Sequence, residues 1–208
     1  GGYADLRAGE ADSSKHQRSR RFVELVKEAG GYCAFVGFES FNPLNLMAAT
    51  KFQNTERRER NLVFSEAKNR VLEKYRRVVN NWHAAGVAVH CGYMIGFPYD
   101  TVESGREAAL DLIDVGVDLA SFFIVTPLPG TEDHIKAVED GTITDWDFNW
   151  YDSDHMVFRH PTMTKDEVLK AYRDAYTTFY SPWRMSKNTA TFSGGRGLNW
   201  EARDSMTR

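Results

Sequence analysis

Three places in this chain of 208 residues put groups capable of chemistry directly behind an apolar run. Glu39 and Ser40 follow Tyr32–Phe38, Gly96 to Tyr99 follow a run that begins at Val87, and Thr126 to Thr131 follow Leu119–Val125. A carboxylate accepts hydrogen bonds and a serine hydroxyl both donates and accepts. Lys51 and Gln53 add a cation and an amide a short way downstream. Gly92 and Gly96 carry no Cβ, so the backbone there can approach another backbone or a flat ligand closely. Each group also has a plainer use. Glu39 could cap the next helix, Lys51 and Gln53 could be solvated, and Glu103 could be a helix cap. His83 and His90 read as surface or core histidines.

These residues need elements to hold them. Phe22, Leu25, Val26 and Ala29 recur at helical spacing, which predicts a helix over 17–29 ended by Gly30 and Gly31. Tyr32–Phe38 reads as a buried strand, 43–50 as a short helix, and 56–85 as a long charged helix interrupted near Phe64 or Ser65. Val87 opens a second strand. Asp100 and Glu103 have capping-box spacing before a helix over 101–115. Leu119–Val125 is a further strand, and the prolines at 127 and 129 take the chain out of the sheet. A short helix is expected over 131–138, then an aromatic and acidic loop from Trp146 to His155. Thr164 and Glu167 form a second capping box before a helix reaching about Trp183. Tyr3 to Leu6 fits the end of a strand, and the polar stretch 185–208 reads as a tail beyond a core of 1–184.

Composition narrows the class. Apolar residues make up 42% and charged residues 26%, with a net charge of −3, ordinary values for a globular domain. No basic excess points to nucleic acid. No apolar run approaches the ~20 residues of a membrane span. Cys33 and Cys91 fall in separate strands and read as small buried hydrophobes in a reducing, cytoplasmic setting, with no metal site in this chain. The chain opens Gly-Gly-Tyr, as expected of a piece of a longer protein. Alternation of apolar strands with helices argues for an α/β fold with parallel strands and right-handed crossovers, buried on both faces. An open doubly wound sheet and part of a (β/α) barrel both satisfy it, and both place ligands at the carboxyl ends of the strands.

The succession Val36-Gly37-Phe38-Glu39-Ser40, Lys51-Phe52-Gln53-Asn54, Gly86-Val87-Ala88-Val89, Met94-Ile95-Gly96-Phe97-Pro98-Tyr99-Asp100-Thr101 and Thr126-Pro127-Leu128-Pro129-Gly130-Thr131 resembles the second half of a radical S-adenosylmethionine core. It is most similar to the branch that often carries a cobalamin-binding domain, and the 147–155 loop and the Met163-Thr164 helix start resemble that branch too. The resemblance implies the C-terminal part of a partial TIM-type barrel. The family's Gly-x-Ile-x-Gly-x-x-Glu strand would fall on Gly92 to Tyr99, with Met94 for the Ile and Tyr99 for the Glu.

What the resemblance implies for function is an enzyme using S-adenosylmethionine, a 4Fe–4S cluster and an electron donor such as flavodoxin or ferredoxin on a small molecule. Methyl transfer or rearrangement, cobalamin-assisted, is the reaction type. Glu39 and Ser40 would meet the ribose or methionine part of the cofactor, Lys51 and Gln53 its carboxylate, and Tyr93, Met94, Gly96, Val125 and Thr126 its adenine. Tyr151 and His155 would face substrate. The cluster-binding Cys-x-x-x-Cys-x-x-Cys does not occur in this chain, so its ligands would lie upstream and the chain alone would be inactive. Two alternatives stand beside this: a non-catalytic α/β binding module, and a methylthiotransferase-like relative that modifies tRNA, disfavoured by the missing basic patch.

Overall fold

The computed structural model of the chain describes residues 3–4, 13–48 and 64–186. Four parallel strands form one sheet in the order β1-β2-β3-β4: β1 Tyr3–Ala4, β2 Cys33–Glu39, β3 Ala88–Ile95 and β4 Leu119–Ile124. Each strand lies beside its predecessor, joined through α1 (Ser13–Glu28), α2 and α3 (Pro43–Ala48 and Phe64–Ala84), and α4 (Ser104–Val115). Chain order and spatial order coincide because every crossover turns the same way. After β4 come α5 (Glu132–Glu139), a single 3-10 turn at Phe148–Trp150 and α6 (Lys165–Phe179). Of the long charged helix the described part runs Phe64–Ala84; its predicted first part and the expected break, with Lys51 and Gln53, lie at or outside the limit of the described residues. So does the predicted tail beyond residue 186.

The strands do not hide both faces. Ala34, Val36 and Phe38 of β2, Val89, Cys91 and Ile95 of β3, and Ala120, Phe122 and Ile124 of β4 are buried, mostly against α3, α4 and α6. The alternate residues on the other face, among them Phe35, His90, Met94, Ser121 and Phe123, are only half-buried. The expected burial on both faces is therefore wrong, and the reason is the helix arrangement: crossovers of one hand along a sheet of sequential order cover one side. α4 and α6 approach to backbone contact, since a Cβ on Gly105 would sit 1.8 Å from the Ala171 carbonyl oxygen.

A piece of a barrel was expected; the parallel α/β sheet is there, but it is not closed into a barrel. On the outer edge of β4, where another strand would pair, side chains of α6 take the hydrogen bonds. The Tyr180 hydroxyl receives the Ala120 N–H (3.0 Å) and donates to the Ala120 carbonyl (2.7 Å). The Tyr176 hydroxyl serves Phe122 in the same way, at 3.2 Å each. The Ile124 N–H reaches the Ser153 carbonyl. An edge satisfied by side chains has no ladder to offer a neighbour.

Tyr180→Phe keeps the ring and removes both bonds to Ala120. We expect a loss of about 1–2 kcal/mol in urea unfolding; an unchanged midpoint would show that water serves this edge equally well.

Candidate functional site

Chain geometry at the carboxyl end of β2 is unusual. Glu39 sits at φ 64°, a left-handed conformation, and the β2–β3 register shifts between Gly37 and Glu39. Non-glycine residues hold such a backbone only where surroundings compel it. The twist lays the carboxylate back over Gly37: its Oε1 lies 3.4 Å from where a Gly37 Cβ would be. Glu39 thus stands on the face that the helices leave uncovered. Beside it in the sheet Gly37 pairs with Gly92, and Gly92 with Ser121, so the middle of this face is low. A Cβ on Gly92 would meet the Phe35 ring at 2.7 Å and the Phe123 ring at 3.5 Å, so the two aromatic rings lean together over the glycine.

Further down the same face, His90 Nε2 lies 2.8 Å from Ser121 Oγ, and the imidazole meets the Phe35 ring edge to face. Burial holds the His90 imidazole below its ordinary pKa. This pair was missed as a functional candidate. Strict alternation along β3 and β4 was the available signal, because it puts Phe35, His90, Met94, Ser121 and Phe123 on one face.

The turn behind β3 is held from within. Asp100, buried, accepts the N–H groups of Gly96 (2.9 Å) and Phe97 (3.0 Å) on Oδ2 and the Asn45 amide (2.7 Å) on Oδ1. Desolvation raises its pKa against the pull of these donors. Asn45 also accepts the Tyr99 N–H, and His160 Nε2 binds the Phe97 carbonyl. The expected Asp100–Glu103 capping box is thereby corrected. Asp100 faces the turn, α4 starts at Ser104, and Glu103 makes no side-chain cap bond. Thr164 and Glu167 do form their box.

The nominated residues separate on this geometry. Glu39 and Met94 share the open face, and Val125 and Thr126 follow β4 at its carboxyl end; the Thr126 hydroxyl binds the Ile124 carbonyl. Ser40 and Tyr93 belong to the interior. Ser40 is buried with its Oγ on the Asn42 N–H, and the buried Tyr93 hydroxyl takes the Phe41 N–H. Burial also pushes the Tyr93 phenol far above its ordinary pKa. Gly96 is engaged in the turn. Tyr151 and His155 lie in the loop behind α5, bound to the Asp145 carbonyl and to the Asp152 carboxylate. Among the described residues, no group of three or more His, Cys, Asp or Glu side chains is placed to hold a metal ion. The structure therefore brings together a carboxylate, a flat apolar floor and a neutral His–Ser pair on one sheet face.

Two predictions follow from this geometry. Asp100→Ala strands a buried and a half-buried N–H group and a buried amide, and should cost about 3 kcal/mol in thermal or urea unfolding; a near-neutral change would mean the turn is held elsewhere. For His90, the folded ring protonates below the unfolded value of about 6.5, so its contribution to stability is complete above that value. It is lost as the pH falls from there through the lower folded value. Ring resonances should titrate below ~6.5, and His90→Gln should flatten the loss of stability across that window. A midpoint at or above the unfolded value would contradict the assignment.

No family model matches the chain. Three curated proteins are similar to it. It is 24% identical over 178 residues, 86% of its length, to a bacteriochlorophyllide d C-12(1)-methyltransferase of Chlorobaculum tepidum, of which it covers 34%. It is 27% identical over 124 residues, 54% of its length, to a bacteriochlorophyllide d C-8(2)-methyltransferase of the same organism, of which it covers 28%. An uncharacterized methyltransferase of Pyrococcus horikoshii is 25% identical over 170 residues, with 82% of the chain and 33% of that protein aligned. The chain thus spans about a third of the length of these relatives. All three are named as methyltransferases, which corrects the expected radical S-adenosylmethionine core to that class. Neither these names nor the described residues support the expected 4Fe–4S cluster, cobalamin or electron donor.

Proposed function

We propose that this chain is part of a methyltransferase that takes its methyl group from S-adenosylmethionine and delivers it to a small molecule. The observation that carries the reading is the alignment of 86% of the chain with a protein named as a methyltransferase. The uncovered sheet face supports it. Its carboxyl end offers Glu39 to ribose hydroxyls or to the methionine ammonium, which a carboxylate binds through charge-assisted hydrogen bonds. Met94, Val125 and Thr126 line the apolar side on which a purine could rest. When bound, the cofactor supplies an electrophilic methyl on a sulfonium centre.

The chain's own residues position the reactants. Asp100 fixes the turn beside the site, Phe35 and Phe123 shed water from the floor, and the His90–Ser121 pair gives a flat substrate a polar anchor. The two Chlorobaculum relatives act, by name, on a bacteriochlorophyllide, and an apolar floor with paired glycines suits a broad ring. Among the described residues, no helix is long and apolar enough to cross a membrane.

Equilibrium dialysis with labelled S-adenosylmethionine tests the reading. The unaltered chain should retain the cofactor, and Glu39→Gln should weaken it about tenfold, ~1.4 kcal/mol, with the melting temperature unchanged. Equal retention by both proteins would remove Glu39 from the site, and no retention by either would sink the reading for this chain.

A further inference from the structure

The fold has no need of the polar pair on the uncovered sheet face. The ladder between β3 and β4 already serves the backbone there. On this face the neighbours of His90 and Ser121 along the two strands are Ala88, Met94, Leu119 and Phe123, all apolar. Yet His90 Nε2 and Ser121 Oγ lie 2.8 Å apart, both side chains half-buried. The half-buried imidazole loses hydration, which disfavours its charged form. Two apolar side chains of similar shape would stabilise the sheet about as well.

Ser121 shares a row of the sheet with Gly92 and Gly37. At the far end of that row Glu39 folds its carboxylate back, Oε1 standing 3.4 Å from where a Gly37 Cβ would be. The row thus carries a carboxylate over one end and the Ser121 hydroxyl at the other, two strand spacings or about 10 Å away. Between them the Phe35 and Phe123 rings lie over Gly92. A flat molecule resting on those rings, with its reacting atom at Ser121, extends toward the end where Glu39 is offered to the cofactor. A serine hydroxyl both accepts and donates, and a neutral imidazole nitrogen accepts. In series they form a path for one proton.

We propose that Ser121 and His90 form a relay that removes the proton from the methyl-accepting atom of a flat apolar substrate, whose class is therefore a weak acid: a phenol, an enol or a ring-conjugated C–H. The inference rests on the methyltransferase reading for the group transferred. As the substrate atom bonds the methyl carbon, the methyl–sulfur bond breaks and its electron pair stays on sulfur, which becomes a neutral thioether. The substrate proton moves to Ser121 Oγ while the serine proton moves to His90 Nε2, and water then takes it from the imidazolium. Ser121 touches the substrate, and His90 acts through it as a positioning residue. The other titratable side chains on this face are Cys33 and Glu39 of β2. Burial raises the Cys33 thiol, which keeps it neutral. Asp118, just before β4, is engaged by His83 and by the Val89 N–H. The helices α3, α4 and α6 pack on the opposite face.

Para-nitrophenol, a flat weak acid whose anion absorbs in the visible, tests the relay on the full 208-residue chain without cofactor. At a pH where the free dye is mostly un-ionised, dye bound to the unaltered chain should show the phenolate band. His90→Gln and Ser121→Ala should still bind the dye, with the band lost. Circular dichroism melts verify that both variants fold, and para-nitroanisole, the same ring without the proton, should bind all three proteins alike. Binding to the unaltered chain without the band overturns the proposal. So does the absence of binding, or a band that survives either change. Dialysis with labelled cofactor is a separate readout. Cofactor retained without the band strikes the relay and leaves the methyltransferase reading standing, whereas the band without retained cofactor strikes that reading and keeps the proton acceptor.

Discussion

The Asp100 carboxylate is the constraint on which the working end of this molecule depends. It is one side chain, buried, with three donors arriving from two parts of the chain. Two are backbone N–H groups of the turn that ends β3, and the third is the amide of Asn45 in α2. Without the carboxylate those groups would be buried without acceptors, and with it the turn, α2 and, through His160, the approach to α6 are held together. A buried ionised group costs desolvation, as its raised pKa records, and the donors offset that cost. The open sheet face begins where this clamp ends, so the turn at its carboxyl rim is tied to α2.

Packing on one side permits exposure on the other. The helices α3, α4 and α6 cover one face with a continuous core that includes Tyr75, Trp82, Leu112 and Phe179. Tyr75 adds a polar tie, its hydroxyl donating to the Phe38 carbonyl just before the twisted Glu39. The backbone that puts Glu39 in a left-handed conformation is therefore anchored one residue earlier, from the core side. Strain of this kind persists when neighbours determine it, and here the determinants are an aromatic hydroxyl beneath the strand and a shift of register beside it.

Local signals in the sequence were read correctly where their partners are local. Thr164 and Glu167 lie three positions apart and satisfy one another, so the start of α6 was legible. The strands at β2, β3 and β4 were legible from their apolar runs within one or two residues. Asp100 and Glu103 have the same spacing as the true box, but Asp100 answers to Asn45, 55 positions away, and no local pattern shows that. The same blindness misplaced Tyr93 and Ser40. Both stand near the right strand ends, yet alternation turns Tyr93 toward the helices, where the Phe41 N–H claims it. For the His90–Ser121 pair alternation shows the shared face but not the contact, since its partners sit 31 positions apart and meet through the parallel register of β3 and β4. The residues left an open sheet and part of a barrel both standing, and only the resemblance favoured the barrel; nothing in the pattern of Tyr176 and Tyr180 announces that their hydroxyls bond the edge of β4.

Those tyrosines bear on how the chain is made. During synthesis β4 leaves the ribosome more than fifty residues ahead of Tyr176 and Tyr180. Through that interval its outer edge presents unpaired N–H and C=O groups, the kind of edge on which nascent chains stick to one another. The acidic stretch that separates β4 from α6 emerges during this time, before the hydroxyls that will close the edge exist. Completion of the last helix then ends the hazard.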